Sequence, residues 1–459
     1  MEALTQEYLL SIIDARNVNE LRNVFNEYNS VDIADLLKEL PINKAIYAFT
    51  TVPSSLTADV FAYLDDDYQQ SVIESLKDAD LKKILAELYT DDIVDVVEEM
   101  PTNIVRKILR SVDKTMRADI NKLLSYKEDS AGSLMGIEYV ELKSSDTCGS
   151  ALAKIRKLAK EVETVSWGYV VNTKRDLLGY VSLKTILSCD DEELITDIME
   201  QDIICVHVDD DREDVAATFK KYDLSSLAVV SKENKMLGII TADDIIDVIE
   251  EEATEDIEKM AKMIPLEEDY FEVSSFSMFK KRIGWLVILL AASTLSAMVL
   301  NSAEATIATV GVLTTFMPMI TGTAGNAGSQ TTALLIRGLS LGTIKTKDFF
   351  KALLKEFFVG MMVGVALGVV CYAWLWLEQI TGIVVVEENT NFVFLVVAFS
   401  VFLVVVVAKL IATTLPIAAK LVKLDPAVMA GPLVTTVADA IAILIYFSIA
   451  KQFLLPLFM

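Results

Sequence analysis

A single carboxylate lies inside one of the most apolar stretches of this 459-residue chain. Asp439 stands in the run VTTVADAIAIL, and no Lys or Arg occurs between Lys423 and Lys451. Placing an ionised carboxylate in hydrocarbon is costly, so an acidic residue at such a position is typical of an ion pathway. We interpret Asp439 as a cation site, with the alternative that a neighbouring helix hydrogen-bonds to it.

The segment PMITGTAGNAGSQTT, residues 318–332, combines glycines with neutral polar side chains. Its glycines recur every third residue, a spacing that lets helices approach closely, so helix packing is one interpretation. Asn326 and the run Ser329–Thr331 supply neutral oxygens. Neutral oxygens together with one carboxylate are the hard ligands that Mg²⁺ prefers. The sequence therefore predicts a Mg²⁺ path that includes Asp439 and Asn326.

Mg²⁺ gives up its water reluctantly, so one Asp among neutral dipoles predicts an ion that keeps most of its water. A dehydrating cage would need several carboxylates, whereas a dimer with the pore on its two-fold axis would present Asp439 twice. Asp425, in the preceding motif LDPAVMAGP, has two interpretations. It is a helix N-cap, or it shares an ion with the acidic stretch that precedes the apolar segments.

Charge divides the chain into two parts. Residues 1–279 carry 29 Lys and Arg against 58 Asp and Glu, a balance of −29, whereas the remainder carries 12 against 8. A part this acidic repels nucleic acid and anionic headgroups and attracts cations. We interpret the acidity as a cation-binding property, with solubility as the alternative, and expect no nucleic acid partner.

Cysteine and histidine are too sparse for the chemistry that they usually support. Cys148, Cys189, Cys205 and Cys371 are scattered without the spacing of a zinc site, which predicts a reducing compartment and no disulfide framework. The one histidine, His207, stands in the strand-like run IICVHV. With no phosphate-binding Gly-Lys-Ser loop and no nucleophile beside a base, the sequence does not predict an enzyme.

Two internal repeats predict the domains that precede the apolar segments. VDIADLLKELP from Val31 recurs as DDIVDVVEEMP from Asp91, with the prolines 60 residues apart, which predicts a helical superhelix over residues 1–130. Within residues 131–250, GYVVNTKRDLLGYVSLKTIL from Gly168 aligns with LAVVSKENKMLGIITADDII from Leu227 at an offset of 59. Each copy reads strand, turn, strand, helix. The duplication resembles a tandem pair of CBS modules, an α/β regulatory fold that commonly binds nucleotides.

The rest of the chain predicts a connecting helix over residues 251–278 and a transmembrane domain with five helices over residues 279–459. The five apolar stretches cover residues 283–300, 306–335, 357–377, 392–416 and 427–450. Each approaches the length of about 20 residues that a bilayer requires. Basic residues gather before the first stretch and in every second connection, which places the N-terminus in the cytoplasm and the C-terminus outside. Lys409 is expected to extend from the fourth stretch to the cytoplasmic surface.

Three motifs together make the chain resemble the bacterial MgtE-type magnesium transporters. They are PMITGTAGNAGSQTTALLIRGL from Pro318, LDPAVMAGPLVTTVADA from Leu424 and DDIIDVIEEEATEDI from Asp243. The resemblance follows the whole chain in order. It implies a homodimer in the cytoplasmic membrane, in which Mg²⁺ binding to the cytoplasmic domains closes the channel.

The resemblance also implies functional residues. The pore carboxylate is Asp439 and the asparagine of the glycine-rich motif is Asn326. The carboxylates of the closed state are Asp59, Asp91 and Asp95 in the N domain, Asp211, Glu213, Asp223, Asp244 and Asp247 in the CBS pair, and Glu252, Glu255 and Asp256 in the connecting helix, facing Asp425. Some members bind ATP in the CBS pair, which would place it around Gly168–Val170 and Thr241–Asp244.

Two other functions stay open at this point. One is a carrier that exchanges Mg²⁺ for Na⁺ or H⁺, and unitary currents would separate it from a channel. The other is a membrane-anchored nucleotide or ion sensor, although five apolar stretches and an Asp within one of them exceed what an anchor needs.

Overall fold

The computed structural model describes residues 4–266, 270–271, 273–383, 386, 389–429 and 431–458. It divides into two compact units, Met1–Ile249 and Glu250–Met459.

Short amphipathic helices form the start of the first unit. Among the described residues they are α1 Gln6–Asp14, α2 Val18–Glu27, α3 Ser30–Lys38, α4 Ile42–Thr51, α5 Ser54–Ala62, α6 Asp66–Ser75, α7 Asp78–Leu85, α8 Thr90–Glu99, α9 Thr102–Ser111 and α10 Lys114–Leu123. Proline directly precedes α4, α5 and α9, because its fixed φ and missing N–H suit the start of a helix.

The helices stack in two interleaved rows. Helices α3, α5, α7 and α9 contact one another in order, and so do α4, α6, α8 and α10. The repeated motifs fall on α3 and α8, whose apolar residues are buried in one continuous core. The predicted helical superhelix is confirmed.

Two small sheets follow. The first contains β1 Val140–Lys143, β2 Trp167–Val171 and β3 Leu177–Ser182, with α11 Cys148–Leu158, α12 Leu183–Ile186 and α13 Ile195–Ile198. The second contains β4 Cys205–His207, β5 Ser226–Val230 and β6 Met236–Thr241, with α14 Arg212–Tyr222. In each sheet the first pair of strands is parallel and the second is antiparallel.

The predicted duplication is confirmed residue by residue, because β2 and β5, and likewise β3 and β6, begin and end 59 positions apart. The turns after β2 and β5 bind each other. Leu177 N–H donates to Asn234 O over 3.0 Å, and Met236 N–H donates to Arg175 O over 3.0 Å. The two copies therefore meet through equivalent segments, as expected of a tandem pair.

One expectation about the first unit is wrong. Cys148 and Cys189 form a disulfide, although their 41-residue separation gave no sign of it. Backbone hydrogen bonds explain their proximity, since Cys148 N–H donates to Glu193 O over 2.9 Å and Gly149 N–H donates to Asp191 O over 3.0 Å. The segment after α12 thus folds back on the start of α11.

Helix α15, Ala242–Met260, begins directly after β6 and continues into the second unit. The predicted division near residue 250 therefore falls within one continuous helix. The second unit then contains α16 Ser275–Ser302, α17 Glu304–Thr309, α18 Met317–Ser340, α19 Phe349–Thr381, α20 Thr390–Leu421, α21 Pro432–Phe453 and α22 Leu455–Phe458.

Four helices of the described residues, α16, α19, α20 and α21, are long and apolar enough to cross a membrane. The predicted second stretch, residues 306–335, instead divides into α17, a 3₁₀ turn at Gly311–Phe316 and α18. Helix α18 has 24 residues, which is long enough to cross a membrane, but its Thr, Asn, Ser and Gln residues make it less apolar than those four helices. It packs between α20 and α21, so much of its polar surface is covered by protein.

Glycines allow α19 and α20 to approach closely. Gly360, Gly364 and Gly368 recur every fourth residue of α19. An added Cβ would lie 3.2 Å from Val406 Cα at the first of them, 2.9 Å from Phe402 O at the second and 3.2 Å from Ala398 O at the third. Small residues at this spacing let helix backbones touch.

We expect Gly364→Val to destabilise the second unit, because the new methyl groups would meet the Phe402 carbonyl and ring. Overpacking of this kind costs about 1–3 kcal/mol, which thermal unfolding in detergent would detect as a lower midpoint. Gly284→Val is the matched control, since no atom lies within 4 Å of a Cβ added there. Equal unfolding midpoints for the two variants would contradict the close contact of α19 and α20 at Gly364.

Candidate cation sites

Three carboxylates from distant parts of the sequence converge in the first unit. Asp91 lies at the start of α8, Glu163 precedes β2, and Asp244 lies in the first turn of α15. One oxygen of each lies within 4.8 Å of the others. Asp91 is only 8% exposed, so water solvates this carboxylate cluster poorly.

Neighbouring groups hold the carboxylate cluster in place. Thr241 Oγ1 donates to Asp244 Oδ2 over 2.8 Å. Gly136 packs against the other two members, and a Cβ added there would lie 2.6 Å from Asp91 Oδ2 and 2.9 Å from Glu163 Oε2. Its backbone is bound to Ile239 by hydrogen bonds of 2.8 and 2.9 Å. The absence of a side chain at residue 136 therefore makes room for the three carboxylates.

Burial and the charges of nearby carboxylates raise the pKa of each member. Burial raises the pKa of Asp91 well above its usual value, and the charge of Glu163 raises it further. Burial raises the pKa of Glu163 to about 7 and that of neighbouring Asp92 to about 6. The pKa of Asp244 is also raised, mainly by burial.

The carboxylate cluster fits a hard divalent cation. Glu163 Oε2 is buried and has no hydrogen-bond partner within the described ranges. Three carboxylate oxygens of this kind suit Mg²⁺ or Ca²⁺ and not a soft metal. A bound cation would replace both the missing hydrogen bond and the missing counter-charge.

The structure brings together two of the predicted carboxylates, Asp91 and Asp244, and adds Glu163, which sequence reasoning missed. Thr241, predicted near ATP, donates to Asp244. Asp211 caps α14 by accepting from Glu213 N–H over 3.0 Å. The other predicted carboxylates of this unit lie outside the three-member cluster: Asp59, Asp95, Asp211, Glu213, Asp223 and Asp247.

A cavity of about 230 Å³ lies between the two strand repeats. Trp167, Tyr169 and Tyr180 line it from the first repeat, and Asp223 and Ser226 line it from the second. Tyr169 Oη and Ser226 Oγ are 2.9 Å apart. Aromatic walls with a few polar groups are typical of a pocket for a planar base. Of the predicted ATP positions, Tyr169 reaches this cavity.

The last turns of α15 contact the residues around Asp425. Lys259 Nζ lies 3.0 Å from Asp425 Oδ2 and 2.6 Å from Glu255 Oε1. Asp425 Oδ1 also accepts from Ala427 N–H over 2.8 Å. The cap interpretation of Asp425 thus describes one of its oxygens, and a lysine, which sequence reasoning did not consider, occupies the other.

The end of α15 is held at two further points. Ser340 Oγ donates to Asp256 Oδ2 over 3.1 Å, and burial, followed by the charge of Asp425, raises the pKa of Asp256. Gly431 has φ of +51°, and a Cβ there would lie 2.6 Å from Met260 O. Glycine is therefore required at this contact. Glu252 belongs to the same helix, one turn before Asp256.

Asp439 lies near the middle of α21. Its Oδ1 is buried and has no hydrogen-bond partner in the part of the chain that the structure describes. Asn326 lies on α18 and its side chain is exposed in the single chain. Helices α18 and α21 contact each other through Gly325 and Thr435, where an added Cβ would approach the Thr435 methyl to 2.8 Å.

The glycines of α18 have different surroundings. Gly325 and Gly328 pack against α21, as the helix-packing interpretation predicted, whereas Gly322 has no atom within 4 Å of an added Cβ. The expectation that Lys409 extends to the surface is wrong. Lys409 is 4% exposed, because Glu356 of α19 pairs with it at 3.3 Å.

Comparison with known families and proteins matches most of the chain. The MgtE family of divalent cation transporters matches residues 317–449, the intracellular N domain of MgtE matches residues 28–129, and the CBS domain matches residues 195–251. Magnesium transporter MgtE of Thermus thermophilus is 31% identical over 99% of both chains. That of Bacillus subtilis is 30% identical over 95% of this chain and 94% of its own.

Two solved structures each resemble about half of the chain. The soluble part of a magnesium transporter is 30% identical, with a TM-score of 0.52, over 54% of this chain and 98% of its own. The cytosolic domain of the Mg²⁺ channel MgtE in complex with ATP is 31% identical, with a TM-score of 0.50, over 53% of this chain and all of its own.

We expect the stability of the carboxylate cluster to fall as pH rises when divalent cations are absent. The raised pKa values mean that the folded state binds more protons than the unfolded state between about pH 4.5 and 7. The free energy of unfolding that this proton binding contributes is fully present below that range and is lost as pH rises through it. Glu163→Gln should raise the unfolding midpoint of the full-length protein in chelator at pH 8 by several °C and flatten its pH dependence.

The same Glu163→Gln variant should show a smaller rise of the midpoint on Mg²⁺ addition, because one ligand is lost. Glu161→Gln, an exposed neutralisation two residues away, is the matched control. If Glu163→Gln kept the parent's pH slope and the parent's response to Mg²⁺, the cluster would not be a cation site.

Proposed function

Since this chain belongs to the MgtE family of magnesium transporters, we propose that it is a homodimeric Mg²⁺-conducting pore of the cytoplasmic membrane that Mg²⁺ itself closes from the cytoplasmic side. The observation that carries the proposal is the buried Asp439 Oδ1 without a partner among the described residues. Within an apolar helix, such an oxygen requires compensation, which a cation on the ion path would provide.

A dimer supplies what one chain lacks. A single chain offers one carboxylate within α21, while Asn326 and Gln330 on α18 are exposed in the single chain. A two-fold axis beside α18 and α21 would present two copies of Asp439 and of these amides to one hydrated ion. Because Mg²⁺ keeps much of its water, two carboxylates and neutral oxygens can hold it without a dehydrating cage.

The distribution of basic residues supports an orientation with the first unit in the cytoplasm. Arg337 ends α18 and Lys345 follows it, and Lys420 ends α20. Both of these connections lie at the end of the second unit where the last turns of α15 contact Ser340 and Asp425. By the positive-inside rule that side is cytoplasmic, and the C-terminus lies outside.

Closure by cytoplasmic Mg²⁺ follows from electrostatics of the acidic unit. A part with a balance of −29 repels itself when cations are scarce, and Asp91, Glu163 and Asp244 concentrate that repulsion. A cation bound by all three would join α8 to α15. Ligand that binds the compact state preferentially shifts the population towards it.

One helix carries both ends of the proposed control. Asp244 lies in the first turn of α15, and Asp256 and Lys259 lie in its last turns, where they contact Ser340 and Asp425 of the second unit. A change in the position of α15 on cation binding would therefore be passed to the ends of α18 and α21.

We propose ATP as a second regulatory ligand, bound in the aromatic cavity between the strand repeats. The adenine would stack among Trp167, Tyr169 and Tyr180, and the polar groups of Asp223 and Ser226 would face its edge or the ribose. The ATP complex of the related cytosolic domain supports this assignment.

We expect Asp439→Ala to abolish Mg²⁺ uptake into proteoliposomes, lowering it at least about tenfold, because it removes the charge that draws the ion into an apolar environment. Glu304→Gln, which removes an exposed carboxylate outside α21, should transport like the parent. Wild-type uptake by Asp439→Ala would refute the pore site.

Single-channel recording on the same preparation distinguishes a channel from an exchanger. Unitary Mg²⁺ currents that decline as Mg²⁺ is added on the cytoplasmic side are expected, whereas an exchanger would give none.

We expect Tyr169→Ala to weaken ATP binding to the full-length protein by about tenfold, because loss of one stacking surface costs about 1–3 kcal/mol. Titration calorimetry measures the effect. Tyr63→Ala changes an exposed tyrosine far from the cavity residues in sequence and should leave binding unchanged. If both variants bound ATP like the parent, the cavity would not be the nucleotide site.

A further inference from the structure

A buried ring of three polar side chains lies where α18, α19 and α20 meet. Lys409 Nζ of α20 donates to Thr331 Oγ1 of α18 over 2.9 Å and lies 3.3 Å from Glu356 Oε2 of α19. The Thr331 hydroxyl donates to the same Glu356 oxygen over 2.9 Å. Each helix contributes one member, and the three groups satisfy one another.

Stability of the α19–α20 contact does not explain this charge pair. Those helices already touch through Gly360, Gly364 and Gly368. Burying two charges requires their desolvation, and well-packed apolar residues commonly hold helices together as well or better. What apolar residues would not provide is a directional bond to a hydroxyl on a third helix.

That directional bond fixes the rotation of α18. Thr331 uses its hydroxyl oxygen as acceptor for Lys409 and its hydrogen as donor to Glu356, so both of its roles are set by groups on the joined pair α19–α20. One residue of slip would rotate α18 by about 100° and shift it by about 1.5 Å. Either change would break both bonds.

The rotation of α18 matters for the proposed ion path. The helix carries Asn326 and, through Gly325 and Gly328, contacts Thr435 and Val434 of α21. Thr435 lies one turn before Asp439. Helix α18 is thus held between the buried ring on one side and the helix of the pore carboxylate on the other.

We propose that Lys409, Glu356 and Thr331 are positioning residues that lock the rotation and register of α18 and thereby aim Asn326 at the Mg²⁺ path. The inference rests on the proposed function for its consequence in transport. We call these three residues the clamp, and a measurement that does not depend on transport tests whether they fix the rotation of α18.

The first test uses Thr331→Val in the full-length protein. This change keeps the shape of the side chain and leaves Lys409 and Glu356 in direct contact, so the protein should fold and elute as the parent does. Mg²⁺ uptake into proteoliposomes should fall about tenfold. Thr331→Ser, which restores the hydroxyl, should recover most of the parent rate.

A reporter cysteine reads the rotation of α18 directly. In a background with Cys205→Ala and Cys371→Ala, the reaction rate of Asn326→Cys with a charged thiol reagent measures its exposure. Thr331→Val should change that rate several-fold, and Thr331→Ser should not. A clamp that only adds stability would leave the rate unchanged in folded protein.

The charge pair supplies a second test. Glu356→Leu and Lys409→Met alone should each lower the yield of folded protein, because each leaves one buried charge unpaired. The double variant should recover the yield but keep the low uptake and the altered cysteine reactivity. Parent uptake and parent reactivity in both Thr331→Val and the double variant would overturn the proposal.

The two proposals fail in different ways. If Asp439→Ala transported like the parent, the pore site would be wrong, but the reactivity of Asn326→Cys would still show whether the ring sets α18. If Asp439→Ala were inactive and the Thr331 variants behaved like the parent, only the clamp would be wrong.

Discussion

Carboxylates that water cannot fully solvate constrain both units of this chain. Asp91, Glu163 and Asp244 keep oxygens within 4.8 Å of one another, and Asp439 keeps one buried oxygen without a hydrogen bond from the described residues. Such groups are stable when a proton or a positive charge compensates them. In the function proposed for this MgtE-family chain, the ion that supplies that charge is also the ion that is carried.

The chain provides its own cation at other carboxylates. Lys259 pairs with Asp425, and Lys409 pairs with Glu356. A tethered ammonium compensates its partner permanently, so these pairs join helices and set their orientation. Asp439 and the three carboxylates of the first unit have no ion-pair partner among the described residues, and in the proposed function they are left for an exchangeable ion. This division separates the proposed fixed parts from the proposed ion-responsive parts.

Periodic features were predictable from the sequence and distant contacts were not. The 59-residue duplication and the helical repeat are local patterns, so the sequence predicted both correctly. Glu163 was missed because nothing in the run KEVETVSWG marks it, and only tertiary folding brings it to Asp91. The Glu356–Lys409 pair and the Cys148–Cys189 disulfide were missed for the same reason. The polarity of α18 was underestimated, because its place among the apolar helices depends on coverage by α20 and α21 and not on apolar side chains of its own.

The continuity of α15 makes the distance between Asp244 and Asp256 a matter of helical phase. Twelve residue steps along the helix separate them, which correspond to about 18 Å and a little more than three turns. Inserting one alanine between them would turn Asp256 away from Ser340 by about 100°, while inserting seven would lengthen the helix by about 10 Å and nearly restore its face. The length of the helix and the rotation of its end can thus be varied separately. A signal carried by translation along the helix axis would respond to the seven-residue insertion, whereas a signal carried by rotation about the axis would respond mainly to the one-residue insertion.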